Sequence, residues 1–186
     1  MTISGKRRPG HGQTGFTLIE QIMVLAIIGI LASVATPSLH RMLGRNELRV
    51  AQMDFISALQ RTRQAAVMSG RRALFCPSVD GGSCSSAIRW EGGWLVAHDR
   101  NGDDQPDGHP LDVGNSHRGK LIIQSSNGRH IVRFHPDGTA GGSNITLLFC
   151  QPAHAGDALT VVVSNAGRVR GAPANSTQAA TCAQLR

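Results

Sequence analysis

The chain has 186 residues, 40% of them apolar, with 19 Lys and Arg against 12 Asp and Glu and a net charge of +7. That length suits one modest globular domain with its own core, carried on an anchor. Three of the basic residues, Lys6, Arg7 and Arg8, lie in an acid-free start, so the remainder is only mildly basic at +4, which permits nucleic acid or anionic lipid as a partner without requiring either.

Residues 1–15, MTISGKRRPGHGQTG, are basic, rich in Gly and poor in apolar side chains, and read as a cytoplasmic leader. From Phe16 to Ala35 the chain is apolar apart from Thr17, Glu20, Gln21 and Ser33. At about 1.5 Å rise per residue that run is long enough for a hydrocarbon core of about 30 Å. The Lys6–Arg8 cluster would hold the preceding end in the cytoplasm, so residues 16–43 are expected to form a single-pass membrane helix with residues 44–186 as a head on the opposite side. An ordinary secretory signal is cut after its apolar run, whereas the polar-to-apolar boundary here, Gly15-Phe16, precedes it. Glu20 is the anomaly, because a carboxylate in hydrocarbon costs on the order of 2.5–3.5 kcal/mol and needs a partner. Pro37 should kink the helix or end its membrane part.

The stretch GFTLIE followed by an apolar helix resembles the processing site of type IV pilins and type II secretion pseudopilins. The resemblance implies that a prepilin peptidase cuts between Gly15 and Phe16, methylates the new amine of Phe16, and releases the subunit from the inner membrane into a helical filament of major and minor pilins or pseudopilins. It also implies the partner of Glu20, the N-terminal ammonium of an adjacent subunit. Because cleavage creates that ammonium, charge pairing would select processed subunits in register.

Beyond Pro37 the helix is expected to continue to Ser69 and stop at Gly70. At 100° per residue Leu39, Met42, Leu43, Val50 and Met53 fall on one side and Leu48, Phe55, Leu59 and Ala66 on nearly the opposite side. The first stripe is expected to meet neighbouring subunits, the second the head's own sheet. Arg41, Arg45 and Arg49 form a basic row that would suit lipid phosphates or water.

After Gly70 the segments WLVAH, KLIIQ, HIVRF, NITLLFC and LTVVVS are short, rich in Val, Ile and Leu, and separated by turn residues, as in an antiparallel sheet. Asn127-Gly128 predicts a turn between the second and third. The fold class is therefore α+β, a long N-terminal helix on an antiparallel β-sheet head, and the resemblance makes it type IV pilin-like. Residues 171–181, GAPANSTQAAT, read as a mobile small-residue segment.

Cys76, Cys84, Cys150 and Cys182 show no CxxC spacing, which argues against a zinc ribbon or a thioredoxin-type site, and their even number suits disulfides in an oxidising compartment. Three pairings are possible. The short loop CPSVDGGSC favours Cys76 with Cys84, leaving Cys150 with Cys182, and chain-entropy estimates give roughly 2.5 and 3.5 kcal/mol for the two rings. The loop DRNGDDQPD offers Asp99, Asn101, Asp103 and Asp107, but an EF-hand needs Gly at its sixth position and Glu at its twelfth, where this chain has Asp104 and Pro110. With no HExxH, GxSxG or P-loop spacing, neither an enzyme, a metal nor a cofactor is expected.

The head stretches WEGGWLVAHDRNGDDQPD, FHPDGT and VVVSNAGRVR, with a late Cys, resemble the minor-pilin branch that includes GspH and the type IV pilus proteins FimU and FimT. In GRVR, an extended backbone would put Arg168 and Arg170 on one side, about 7 Å apart, and Val169 on the other, with Gly167 keeping the approach open. The resemblance to FimT-like minor pilins, whose C-terminal GRxR binds DNA during uptake in naturally competent bacteria, makes Gly167, Arg168 and Arg170 the expected contacts to double-stranded DNA within a C-terminal region 165–186. Two phosphates neutralised make a weak site, so further cations are expected from Arg118, Lys120, Arg129, Arg133 and Arg186. With Tyr absent and only Trp90 and Trp94 present, backbone contact is favoured over base stacking. The alternative is a GspH-like pseudopilin of the type II secretion system that does not bind DNA.

Overall fold

The computed structural model describes residue 15 and residues 17–126, 128–152 and 155–185, apart from the side chains of Val34, Pro37, His40 and Ala155. Residues 1–14 of the leader, Phe16, Asn127 and Arg186 therefore lie outside the described residues. The chain divides into two compact units, Met1–His40 and Arg41–Arg186.

The first unit contains the start of helix α1 (Leu18–Ser69). Thr17 opens it, its Oγ1 accepting the Glu20 N–H at 3.4 Å, in the manner of an N-cap serving the third helical position. Leu18, Ile19, Ile22, Met23, Leu25, Ile27 and Ile30 are all exposed, so apolar side chains project on every side. Among the described residues no helix is long and apolar enough to cross a membrane. The backbone is helical through position 37, so the proline does not end the helix.

In the second unit α1 stops at Ser69, where Gly70 turns the chain at φ +63, the left-handed conformation that ends many helices. Leu48, Phe55, Leu59 and Ala66 are buried, whereas Leu39, Met42, Leu43, Val50 and Met53 are exposed. The two stripes thus separate as their spacing predicts. Arg45 is not left to water, because its Nη2 bonds Asp157 at 2.7 Å.

Among the described residues eight strands follow, and the antiparallel head they form is built of two sheets of four. β1 (Ala73–Pro77), β2 (Trp94–His98), β3 (Asp112–Gly114) and β5 (Val132–Phe134) form one, in the order β3-β2-β1-β5. β4 (Ile122–Ser125), β6 (Ile145–Cys150), β7 (Leu159–Val163) and β8 (Val169–Pro173) form the other, in the order β4-β6-β7-β8. The expected reversal near Asn127-Gly128 exists, with Arg129 N–H on Ser126 O at 3.0 Å, but it joins strands of different sheets. A turn signal reports a local change of direction, and which strands pair is decided by burial beyond it. Ile122 and Ile123 are buried in one sheet, Val132 and Phe134 in the other.

Phe55 of α1 couples the two sheets. Its ring lies edge-on to Phe75 of β1 (5.6 Å), Trp94 of β2 (6.1 Å) and Phe149 of β6 (5.1 Å), at separations where each aromatic pair contributes about 0.5–1.5 kcal/mol beyond burial.

Residues 171–181 are not a mobile tail. They complete β8 and enter helix α2 (Ser176–Gln184), whose cap Asn175 accepts the Gln178 N–H while the Gln178 side chain accepts the Asn175 N–H, both at 2.9 Å. That reciprocal capping box and the bond Cys150–Cys182 order the segment. The second disulfide is Cys76–Cys84.

Candidate nucleic-acid interface

The GRVR segment sits at a meeting of two turns with the same hydrogen-bond pattern. In the β7–β8 hairpin, Gly167 N–H donates to Ser164 O at 2.8 Å and Ser164 N–H to Arg168 O at 3.0 Å. In the turn after β5, Gly138 N–H donates to His135 O and His135 N–H to Thr139 O, both at 2.9 Å. Each needs one residue at positive φ, supplied by Gly167 at +73 and Gly138 at +76. The turns are stitched by Ala140 N–H on Asn165 O at 2.9 Å, and Arg63 Nε of α1 donates to Gly138 O at 2.8 Å.

Gly167 does not keep a DNA approach open. It is buried, and a Cβ on it would run into the carbonyl oxygen of Gly138. The packing of one turn on the other explains this glycine, and it offers no surface to a ligand.

Arg168 and Arg170 do face outward. Both are exposed, while Val169 between them is half-buried and packs on the main core. Pairing of Val163 with Val169 and of Val162 with Arg170 keeps the segment extended, on the strand that forms one edge of its sheet. Among the described residues neither guanidinium makes an ion pair. The acid of this corner, Asp137, is turned into its own turn. Its Oδ1 accepts the Thr139 N–H at 2.9 Å and the Thr139 hydroxyl at 2.7 Å, and the backbone bond above all holds the carboxyl below its ordinary range.

The other expected cations divide. Arg133 is occupied by Asp104, its Nε lying 2.5 Å from Oδ1, so it does not belong with the free ones. Lys120 stands 3.5 Å from Glu47, and Arg129 Nη1 donates to Gly142 O at 2.7 Å. Arg118 is exposed and without an ion pair among the described residues, beside Gly92. Arg63 is the cation that strand-centred reasoning misses. Its place four residues after buried Leu59 and three before buried Ala66 is the signal that could have found it. Trp90 and Trp94 are fully buried, so neither offers a ring to a base.

The DRNGDDQPD carboxylates are likewise engaged, by arginines or by the loop's own N–H groups. Asp99 is buried and accepts from Arg72 Nε at 3.0 Å and Gly102 N at 2.8 Å. Asp104, at φ +66, is held below the ordinary carboxylate range chiefly by its hydrogen bond from Arg133. Asp107 accepts the Arg100 N–H, and Asp103 the Gln105 N–H. Near the other end of the chain, Gly15 and Glu20 are exposed. Glu20 lies in the first turn of α1, where a carboxylate is favoured by the helix dipole.

The family model for the type II transport protein GspH matches residues 51–167. The chain belongs to this GspH family of minor pilins and pseudopilins. The matched span takes in both turn glycines and ends on Gly167, leaving Arg168 and Arg170 outside it. A second model, the prokaryotic N-terminal methylation motif, matches residues 10–36. The GspH-family fold is seen again in the type IV minor pilin FimU of Pseudomonas aeruginosa, with a TM-score of 0.56 and 23% identity over 69% of this chain and 90% of that one. The minor pseudopilin EpsH from the type 2 secretion system of Vibrio cholerae gives a TM-score of 0.50 at 14% identity over 68% and 97% of the two chains. A curated fimbrial protein of Pseudomonas aeruginosa is 41% identical over 62 residues, 33% of this chain. The match spans about 40% of that relative's length.

Proposed function

We propose that this GspH-family chain is a minor pilin of a type IV pilus, placed in the filament or at its tip, that binds double-stranded DNA through Arg168 and Arg170 for uptake in natural transformation. The observation that carries the reading is a pair of exposed guanidiniums, without an ion pair among the described residues, at the start of an edge strand and alternating with a core-packed Val169. Such a pair can follow phosphates along a strand but reads no bases. A gel-shift titration of the full chain, purified in a nonionic detergent, tests it. Retention of a mixed-sequence duplex at low salt should be lost in the double variant Arg168→Ala/Arg170→Ala, and unaltered retention would sink the reading. The family match favours a second possibility, a pseudopilin of the type II secretion system whose head meets other pseudopilins or exported protein. Wild-type chain that ignores DNA at low salt decides for it.

In both readings the N-terminus works alike. The apolar side chains exposed around the start of α1 would be covered first by the inner membrane, as a single pass with the head in the periplasm, and then by pilins or pseudopilins of the filament. Prepilin peptidase would cut between Gly15 and Phe16, methylate the Phe16 amine, and leave Glu20 to pair with that amine on a neighbour. Mass spectrometry of the mature protein should find a methylated Phe16 at its start. Any other start removes the proposed pairing.

A further inference from the structure

We infer that Arg63 of α1 is a third phosphate-contacting cation beside Arg168 and Arg170, an inference that rests on the DNA reading above. The guanidinium lies across both turn glycines. An ideal Cβ built on Gly138 would stand 3.1 Å from Arg63 Nε, and one built on Gly167 would stand 3.2 Å from the same atom. Gly167 is the chain neighbour of Arg168, so a helix residue more than a hundred positions upstream arrives at the root of the arginine pair.

The hydrogen bond to Gly138 O uses only Nε, at 2.8 Å. Among the described residues Arg63 makes no ion pair, and it is exposed. Its two terminal nitrogens are therefore free to bond a phosphate as a fork, and the Nε bond fixes the plane of that fork before DNA arrives, which lowers the ordering cost of binding. Asp137 stays ionised, its Oδ1 accepting from the Thr139 N–H and hydroxyl, and among the described residues it makes no ion pair with Arg63.

Arg63 also ties α1 to the turn that carries Gly138, so the experiment has to separate a phosphate contact from a staple. Arg63→Gln keeps an N–H donor and drops the charge. Arg63→Lys keeps the charge and drops the fork. In gel-shift titrations of the full chain between 50 and 200 mM salt, the wild-type protein should lose about 3.5 times more affinity than Arg63→Gln, the equivalent of one released counterion, and Arg63→Lys should follow the wild-type slope. A salt slope for Arg63→Gln equal to wild type, or one for Arg63→Lys as shallow as that of Arg63→Gln, overturns the inference. If binding still depends on Arg168 and Arg170, the parent reading stands in those cases. Absence of wild-type binding at low salt overturns both.

Discussion

Two corners of the head are rich in arginine and treat it in opposite ways. Around the DRNGDDQPD loop Arg72 and Arg133 are matched to Asp99 and Asp104, and one carboxylate, Asp99, is fully buried. At the meeting of the two glycine turns Arg63, Arg168 and Arg170 are exposed and, among the described residues, make no ion pair, while Asp137 nearby accepts from the Thr139 backbone. Arginines of the first corner have their charge answered inside the fold. Those of the second leave it open to solvent, and this difference, more than net charge, is what supports the proposed polyanion surface in a chain of only modest basicity.

The contrast can be broken most forcefully at Arg72. Arg72→Met strands the Asp99 carboxylate, and removal of one member of a buried pair costs about 3–5 kcal/mol. Thermal unfolding should therefore shift strongly downward while the salt slope of DNA binding is unchanged. Gly167→Ala comes next. It forces a side chain into positive φ, worth about 1–2 kcal/mol, against the Gly138 carbonyl, so both stability and binding should fall as the arginines lose their platform.

Asp104→Asn should be milder. Asn also tolerates positive φ, so the change removes the charge of the bond from Arg133 and of the longer one from Arg72, at 3.2 Å, about 1 kcal/mol after allowance for partial exposure. The Asp104 carboxyl is held below its ordinary range, so its contribution is present above the unfolded value of about 3.9 and is lost as pH falls through the lower folded value. The stability difference between wild type and variant should stay flat from neutral pH down to about pH 5 and shrink below about pH 4. A difference that widens on acidification contradicts the pairing. The smallest structural effect belongs to Arg168→Ala/Arg170→Ala, whose unfolding free energy should match wild type to within about 0.5 kcal/mol, as for exposed side chains away from packed or paired features. A large loss of stability there would show these arginines to be structural after all.

Much of the fold is legible where periodicity is strong. The helix stop at Gly70, the split between its two apolar stripes, and strands β2, β6 and β7 follow from spacing and side-chain type. β1 and β8 are hard to read because ALFCP and VRGAP end in Pro and the second also carries Gly and Ala, residues of weak strand preference that are placed by their neighbours. α2 was readable in principle, since Asn175 and Gln178 have the spacing of a capping box, but small residues obscured it. At the candidate site the alternation of Arg168, Val169 and Arg170 shows in the sequence. The reason for Gly167 does not, because it depends on Gly138, a turn contributed by the other half of the head, and the same tertiary contact hides Arg63.

The bond between Cys150 and Cys182 encloses β7, β8 and nearly all of α2 in one covalent ring. A protease that severs the backbone once, anywhere between those cysteines, leaves two fragments that cannot drift apart until a reductant reaches them. Nicked protein should migrate as a single band on a non-reducing gel and as two after thiol treatment, and the arginine-bearing hairpin would stay tethered to the rest of the subunit despite the wound.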